Sequence, residues 1–299
     1  MKRRYLPSNR FWSDVLPTKC VRLTDTIEEL DAAVAHFRRT RVAAVAALGG
    51  DGTVHRLVDA LVRHYGEADL PMVAILAGGT MNGLPRALGS GAAPERVLRA
   101  ALAAFDLGDP PIRRQHLLRV SDACNGTVRH GFSFATGVVY RAFEQYYRTF
   151  EPGMIDAVRA SLWPLTTALS GRSLADIARL DVRVDHQHWM PELPHTLVAS
   201  VIENPVLWFK PFGDALGDNA AFHLVATSMH AAEIAPRLWP LFRGRCRHPR
   251  LRVGHCQDVT IHGNTGYLID GDCYAPADAV DVRVTLGPQL RLLVPTAVP

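Results

Sequence analysis

The stretch Leu48–Arg56, "LGGDGTVHR", places three glycines and a threonine around a single carboxylate, Asp51. It directly follows an apolar run that begins at Val42. A glycine loop between a strand and a helix lets backbone N–H groups approach a phosphate, and a helix N-terminus attracts anions. A carboxylate at the same place repels phosphate unless a cation lies between them. The loop therefore predicts a phosphate site at which Asp51 acts through Mg²⁺ or in proton transfer.

The residues around this loop alternate between strand-like and helical patterns. Residues 26–37 open with a capping box, Thr26 and Glu29, and show the apolar spacing of a helix. Residues 42–48 and 71–77 are short apolar runs, typical of strands that are buried on both faces. Helices are predicted after the first glycine loop and again in residues 94–105. This order of strands and helices predicts a parallel sheet with right-handed crossovers.

A second glycine loop, "GGTMNG", begins at Gly78 after the second apolar run. Because both loops follow parallel strands, we expect them at the same carboxyl edge of the sheet, where open α/β sheets bind ligands. The first loop is not a dinucleotide fingerprint, since His55 stands where a third glycine is required. No G-K-[ST] follows either loop, which excludes a Walker A motif.

The pattern changes after Asp109. Two prolines, Pro110 and Pro111, are followed by many short strand-like runs, which predict a β-sandwich. A helical insertion near residues 140–178 interrupts them. The sequence thus predicts two domains, residues 1–108 and 109–299. The aromatic residues of the insertion could either cover one sheet or line a lipid pocket; they include Phe143, Tyr146, Tyr147, Phe150 and Trp163.

Composition limits the partners and the compartment. Charged residues make up 21% of the chain and apolar residues 48%, the balance of a globular protein with sizeable cores. The net charge of +4 comes almost entirely from arginine, which suits a phosphate or an anionic lipid surface weakly. No basic stripe interleaved with aromatic residues predicts nucleic-acid binding. Five scattered cysteines favour a reducing cytoplasm, and no apolar run is long enough to span a bilayer.

Four motifs, taken in order, resemble those of the diacylglycerol kinase catalytic-domain family. They are "GGDGT" from Gly49, "GGTMNGLPRALG" from Gly78, "FDLG" from Phe105 and "YLIDGDCYAP" from Tyr267. The family includes bacterial lipid kinases, ceramide kinases and sphingosine kinases, and the resemblance covers nearly the whole chain. It implies an ATP-binding α/β domain of the NAD kinase and diacylglycerol kinase type, followed by a β-sandwich domain that takes the lipid. The implied activity is a Mg²⁺- and ATP-dependent lipid kinase that works at the membrane surface.

The resemblance also implies roles for single residues. Asp51 would act through Mg²⁺, and Asp272 matches the last acid of a D-G-[DE] motif, the family's proposed general base. Asp270 could share that role, and Arg86 matches the family in pattern only. The implied nucleotide-binding residues are Gly49, Gly50, Gly52, Thr53, Gly79, Thr80 and Asn82. The implied metal ligands are Asp51, Asp106, Asp214 and Asp218.

The chain departs from the family in three places. "YLPSNR" stands where the family has an N-P-x-[SA]-G loop, Gly83 replaces an acid, and Asp272 replaces a glutamate. Taken alone, "IDGD" is typical of a hairpin turn, because Asp-Gly favours the type I′ geometry. A non-catalytic binding protein of the same fold and an NAD kinase-like enzyme therefore remain as alternatives, and a homodimer is left open.

Overall fold

The computed structural model describes residues 16–17, 20–79, 82–89, 91–108, 110–149, 178–184, 186–203, 210, 212, 220–275 and 279–294. The chain divides into two compact units. Unit 1 comprises Met1–Gln115 and Pro288–Pro299, and unit 2 comprises His116–Gly287. The domain boundary expected after residue 108 stays a prediction. In the described part of the chain, no helix combines the length and the apolar character needed to cross a bilayer.

Unit 1 is built from strands and helices in alternation. Its first helix begins with the predicted capping box: the hydroxyl of Thr26 accepts the N–H of Glu29, and the Glu29 carboxylate accepts the N–H of Thr26. The elements are α1 (Ile27–Arg39), β1 (Ala44–Gly49), α2 (Asp51–Tyr65), β2 (Met72–Ala77), α3 (Gly83–Ala87) and α4 (Pro94–Asp106).

The two strands of this series are parallel, as the sequence predicts. β1 pairs with β2 from Ala44 opposite Met72 to Gly49 opposite Ala77. Strand β2 is almost wholly buried, and the inner face of α2 is closed by fully buried side chains such as Val54. Because both strands end at the same level, the glycine loops that follow them begin side by side.

Unit 2 is rich in antiparallel strands. The chain enters it within β3 (Ile112–Asp122) and leaves it within β14 (Val280–Leu293). Between them lie β4 (Thr127–Gly131), β5 (Ser133–Gly137), α5 (Val138–Thr149), β6 (Leu180–Val184), β7 (Gln187–His188), β8 (Thr196–Ser200), β9 (Phe222–Thr227), α6 (Ala231–Ile234), a 3₁₀ turn (Ala235–Arg237), α7 (Leu238–Phe242), β10 (Leu251–Cys256), β11 (Asp258–Gly263), β12 (Tyr267–Ile269) and β13 (Asp272–Tyr274).

The core of unit 2 lies between two layers of strands. One layer is a six-stranded sheet in the order β10, β9, β8, β5, β12, β13, and the other contains β6, β11 and the first part of β14. Apolar side chains from both layers form one buried cluster, with Phe222 and Leu224 from the first and Val259 and Ile261 from the second. The predicted β-rich C-terminal domain is confirmed, and its strands are antiparallel.

Two predicted features take a different form in the structure. In the sequence, residues 280–286 and 290–294 are two separate strand-like runs. In the structure, Val280–Leu293 form the single strand β14, whose Arg291 and Leu292 pair in parallel with β2 inside unit 1. Of the predicted helical insertion, α5 is described. Residues 150–177, and with them Phe150 and Trp163, lie outside the described residues.

Candidate functional site

The first glycine loop is the tight turn from β1 into α2. The carbonyl of Gly50 accepts the N–H groups of Thr53 at 3.0 Å and Val54 at 3.1 Å, so the helix begins directly after the strand. A side chain at Gly49 would place its Cβ 2.5 Å from the Thr53 side chain. Gly52 and Thr53 form the first turn of α2, where the positive end of the helix dipole lies.

The second glycine loop packs directly on the first. Gly78 donates its N–H to the Gly49 carbonyl at 3.0 Å. A Cβ at Gly79 would lie 2.4 Å from the Cα of Gly50, a distance that no packing tolerates. Glycine is required here because two backbones approach each other. The two loops predicted at one sheet edge therefore form a single surface.

Asn82 closes the second loop. Its backbone is left-handed, with φ of 50°, a conformation that asparagine tolerates better than most residues. Its side-chain oxygen accepts the N–H of Gly79 at 2.8 Å. Thr80, the remaining second-loop residue of the predicted nucleotide site, lies outside the described residues.

The Asp51 carboxylate joins the two loops. One oxygen accepts the N–H of Leu84 at 2.9 Å and the other accepts the N–H of Gly83 at 3.1 Å. These are the first N–H groups of α3, which have no partner within the helix itself. A Cβ at Gly83 would lie 3.4 Å from the same carboxylate. The acid at the centre of the glycine loop thus holds the second loop against the first.

The other predicted metal ligands do not join Asp51 in the described part of the chain. Asp106 is the exposed last residue of α4, whose Leu98 packs on Leu76 near the end of β2. At about 1.5 Å per residue, Asp106 lies roughly 12 Å farther along that helix than Leu98. Asp214 and Asp218 lie outside the described residues, where their roles stay predictions. No three His, Cys, Asp or Glu side chains of the described residues cluster as a metal site.

The "DGD" motif in unit 2 is a two-residue β-hairpin. Ile269 pairs with Asp272, and the turn residues Asp270 and Gly271 have φ values of 51° and 92°. Both values are positive, as a type I′ turn requires. The hairpin alternative for "IDGD" thus describes the local geometry correctly, and it leaves the chemical role of Asp272 open.

The carboxylate of Asp270 accepts several hydrogen bonds from residues at the start of β5. Its carboxylate accepts the N–H of Ser133 at 2.8 Å, the Ser133 hydroxyl at 3.0 Å and the N–H of Phe132 at 3.0 Å. Its own N–H donates to the Ser133 carbonyl at 3.1 Å. Asp270 therefore fixes the turn that carries Asp272.

Asp272 is half-buried at the start of β13, near α5. Burial, with smaller contributions from the carboxylates of Asp272 and Glu144, raises the pKa of the neighbouring Cys273 thiol to about 12. The Tyr147 hydroxyl donates to the Gly271 carbonyl at 3.1 Å. The candidate base thus lies at a half-buried position near α5, and Cys273 stays a neutral thiol beside it.

A polar network that the sequence does not predict lies beside this hairpin. The buried Tyr267 hydroxyl donates to Asp122 at 2.9 Å, while Arg129 donates to Tyr267 at 3.1 Å and stacks on the Tyr274 ring. Burial, followed by the hydrogen bond to Asp122, raises the pKa of Tyr267. No local signal marks these contacts, since the partners come from different hairpins.

A second missed feature is a polar row across the outer face of the six-stranded sheet. His255 of β10 lies opposite His223 of β9, His223 opposite Ser200 of β8, and Ser200 opposite Ser133 of β5. The two imidazole centroids are 4.5 Å apart. The row ends at Ser133, which donates to Asp270, so it connects to the "DGD" hairpin.

The comparisons with known proteins agree with these features. The family model for the diacylglycerol kinase catalytic domain matches residues 14–108. That span contains both glycine loops and Asp51 and ends well before the Asp270 hairpin. The family resemblance expected from the motifs is confirmed. A search among curated protein sequences found no match.

Solved structures share the fold across both units. A diacylglycerol kinase from Bacillus anthracis is 14% identical, with a TM-score of 0.61, and covers 97% of this chain and 92% of its own. A second protein from that organism, provisionally classed as a diacylglycerol kinase, has a TM-score of 0.67 at 13% identity and covers 99% and 96%. Yeast NADH kinase, solved with NADH, has a TM-score of 0.51 at 11% identity and covers 85% and 62%. The predicted kinase fold is therefore confirmed.

Proposed function

We propose that this chain, whose residues 14–108 match a kinase catalytic domain, transfers the γ-phosphate of ATP to a hydroxyl of diacylglycerol or a similar lipid. The observation that carries the proposal is the direct backbone contact between the two glycine loops. They follow neighbouring parallel strands, and one of them leads into the N-terminus of a helix of 15 residues. Such an edge offers backbone N–H groups and a helix dipole to phosphate oxygens.

The nucleotide would be held mainly by the backbone of the first loop. Gly49, Gly50 and Gly52 leave no side chains between the main chain and the phosphates, and Thr53 adds a hydroxyl. Asn82 keeps the second loop closed beside them through its bond to Gly79. This arrangement orients a polyphosphate, and orientation supplies much of the catalysis in phosphoryl transfer.

The residues present fit a Mg²⁺ ion at Asp51. A carboxylate has about four lone-pair sites, so it can accept N–H groups, as Asp51 does from Gly83 and Leu84, and also coordinate a cation. Mg²⁺ in kinases needs only one or two protein carboxylates, because phosphates and water complete its shell. The ion would neutralise phosphate charge during transfer. Asp51 would thus bind it while holding the second loop in place.

On the acceptor side, Asp272 would take the proton from the lipid hydroxyl. Asp270 is committed to Phe132 and Ser133, and the half-buried Asp272 is the other acid of this hairpin. A lipid acceptor is supported by the family model and by the described function of the Bacillus anthracis relative. It is also supported by the apolar cluster next to the hairpin, where Tyr140 and Phe143 of α5 pack with Leu268.

The test is a transfer assay with γ-labelled ATP and Mg²⁺. Dispersed diacylglycerol, a total lipid extract and NAD are offered separately, and products are resolved by thin-layer chromatography. We expect label in a lipid that migrates as a phosphorylated diacylglycerol, and none with Asp272→Ala. Label appearing in the NAD reaction would favour the NAD kinase-like alternative. Tight ATP binding without any labelled product would favour a non-catalytic binding protein.

A further inference from the structure

Between β9 and β10, residues 230–250 contain no buried side chain. Helix α6, the following 3₁₀ turn and helix α7 contain no buried residue. Trp239 of α7 is 69% exposed, whereas Trp189, the other described tryptophan, is 8% exposed. A single exposed aromatic residue needs no explanation by itself, so the side chains around Trp239 decide whether it belongs to a binding surface.

Three arginines follow this tryptophan in the chain. Arg243, Arg245 and Arg247 are exposed, while the residues between them are half-buried. The Arg243 guanidinium lies 4.7 Å from the centre of the Trp239 ring. Gly244, with φ of 62°, ends α7 and turns the chain into this arrangement. The aromatic ring thus contacts the first of these arginines, and two further exposed arginines follow within four residues.

The acids described near these arginines have other partners. The nearby acids Glu192 and Glu233 pair with Arg250, and Glu233 also faces His248. Within the described residues, no carboxylate forms an ion pair with the three exposed arginines. Residues 239–247 thus combine an unburied indole with exposed arginines.

An exposed tryptophan close to several arginines matches the chemistry of an anionic lipid bilayer. Tryptophan prefers the headgroup region of a bilayer, where its ring is partly apolar and its N–H stays hydrated. Arginine pairs with lipid phosphates, and several such side chains together draw a protein to an anionic leaflet. A nucleic acid would use the arginines, but the half-buried apolar side chains Leu238, Leu241 and Phe242 beside the indole favour a bilayer.

We infer that residues 237–247, here called the docking segment, bind the phosphate headgroups of an anionic lipid bilayer with Trp239 inserted at the interface. The inference rests on the proposed function for its purpose, since it specifies how a lipid kinase would reach its acceptor. The binding itself needs neither ATP nor an acceptor lipid. The two proposals can therefore fail separately.

The test uses the full chain and sucrose-loaded vesicles of phosphatidylcholine, either alone or with an equal part of phosphatidylglycerol. Cosedimentation is measured without ATP or diacylglycerol, at low and high salt. We expect binding to the anionic vesicles only, weakened by salt. Equal binding to both vesicle types, or none to the anionic ones, would overturn the inference. So would competition by an oligonucleotide that removes the protein from the vesicles at stoichiometric concentration.

Charge-matched variants locate the surface. Arg245→Glu combined with Arg247→Glu should lower the vesicle partition coefficient by at least about tenfold, because each basic residue near an anionic surface adds substantially to binding. The control, Arg39→Glu combined with Arg96→Glu, makes the same change in net charge at exposed sites of unit 1. If both double variants lose binding equally, overall charge and not the docking segment is responsible, and the inference fails.

A second pair of variants tests the tryptophan. Trp239→Ala should lower binding several-fold at high salt, where the apolar contribution dominates, while Leu23→Ala at a residue that is 71% exposed should leave it unchanged. Kinase activity on short-chain diacylglycerol, dispersed as monomers, should survive in all of these variants. Loss of that activity together with intact vesicle binding would count against the proposed function alone.

Discussion

Asp51 holds α3 against the first loop, and we propose that it also binds Mg²⁺, so that Asp51→Asn should affect both stability and activity. Replacing it with asparagine keeps one acceptor but turns an amide N–H₂ towards the N–H of Gly83 or Leu84. Because hydrogen bonds to charged groups contribute about 1.5 to 3 kcal/mol and this site is half-buried, we expect Asp51→Asn to lower stability by about 1 to 2 kcal/mol. Transfer activity should fall strongly but remain measurable at raised Mg²⁺ concentration. Thermal unfolding and the labelled-ATP assay measure the two effects.

Asn82→Gly is the matched control for the loop. It keeps a residue suited to positive φ but removes the bond to Gly79, so it loosens the same surface without changing the charge. If Asp51 binds Mg²⁺, Asp51→Asn should raise the Mg²⁺ concentration needed for any residual activity, and Asn82→Gly should not. Identical Mg²⁺ titrations for the two variants would reduce Asp51 to a structural cap.

Asp272 carries the chemical step of the proposal. A general base contributes about 10²- to 10⁴-fold, so Asp272→Ala should lower kcat by at least about 10²-fold with little change in the KM for ATP. Asp272→Glu, which restores the family's residue, should retain measurable activity. An increase confined to the KM for ATP would make Asp272 a nucleotide contact, and unchanged kinetics would leave the motif only its hairpin role.

At the scale of elements, the β12–β13 hairpin depends on Asp270. Its carboxylate satisfies two backbone N–H groups and a hydroxyl at the start of β5. Asp270→Asn should therefore cost about 2 kcal/mol and lower the thermal midpoint by roughly 4 to 8 °C. Asp69→Asn, whose carboxylate is 65% exposed and pairs with Arg38, is the control and should shift the midpoint little. Equal shifts of the thermal midpoint in the two variants would show that the hydrogen bonds of Asp270 do not stabilise the hairpin.

Local sequence signals predicted the elements of unit 1 well. The capping box of α1, the apolar strands β1 and β2 and the glycine loops are short-range features, and each is present in the structure. Strands β3 and β4 gave no comparable signal, because the charged and half-buried residues of β3 break the alternation that marks a strand. The hydrogen bonds that Asp51 accepts from α3 could not be predicted from the sequence either, because no local pattern specifies contacts between two loops.

At the scale of the whole molecule, the order of motifs predicted the fold class, while the pairing of distant segments needed coordinates. Arg291 and Leu292 extend the sheet of unit 1 beside Met72 and Val73. Their apolar pattern indicates a strand but not its partner. The polar row that ends at the Asp270 hairpin is likewise spread over four strands, so no window of sequence contains it.

This row makes stability depend on pH. Burial, helped by the nearby His255, lowers the pKa of His223 to about 4, and burial also lowers the pKa of His195. Unfolded histidine titrates near 6.5. Between these values the unfolded chain binds more protons than the folded one. The free energy of unfolding therefore decreases as the pH drops from about 6.5 towards 4. For His223 alone, the loss reaches about 3 kcal/mol at the lower end of that window.

Urea unfolding at pH 7, 6 and 5, values chosen to bracket roughly the upper part of this window, measures the effect. His223→Leu should flatten the pH dependence, because the buried site no longer excludes a proton. It should not cost stability at neutral pH, since the Nδ1 of His223 has no hydrogen-bond partner among the described residues. His186→Asn, at an exposed turn with φ of 64°, is the control and should keep the parent slope. If His223→Leu kept that slope as well, acid sensitivity would arise elsewhere, with the buried His195 as the next group to replace.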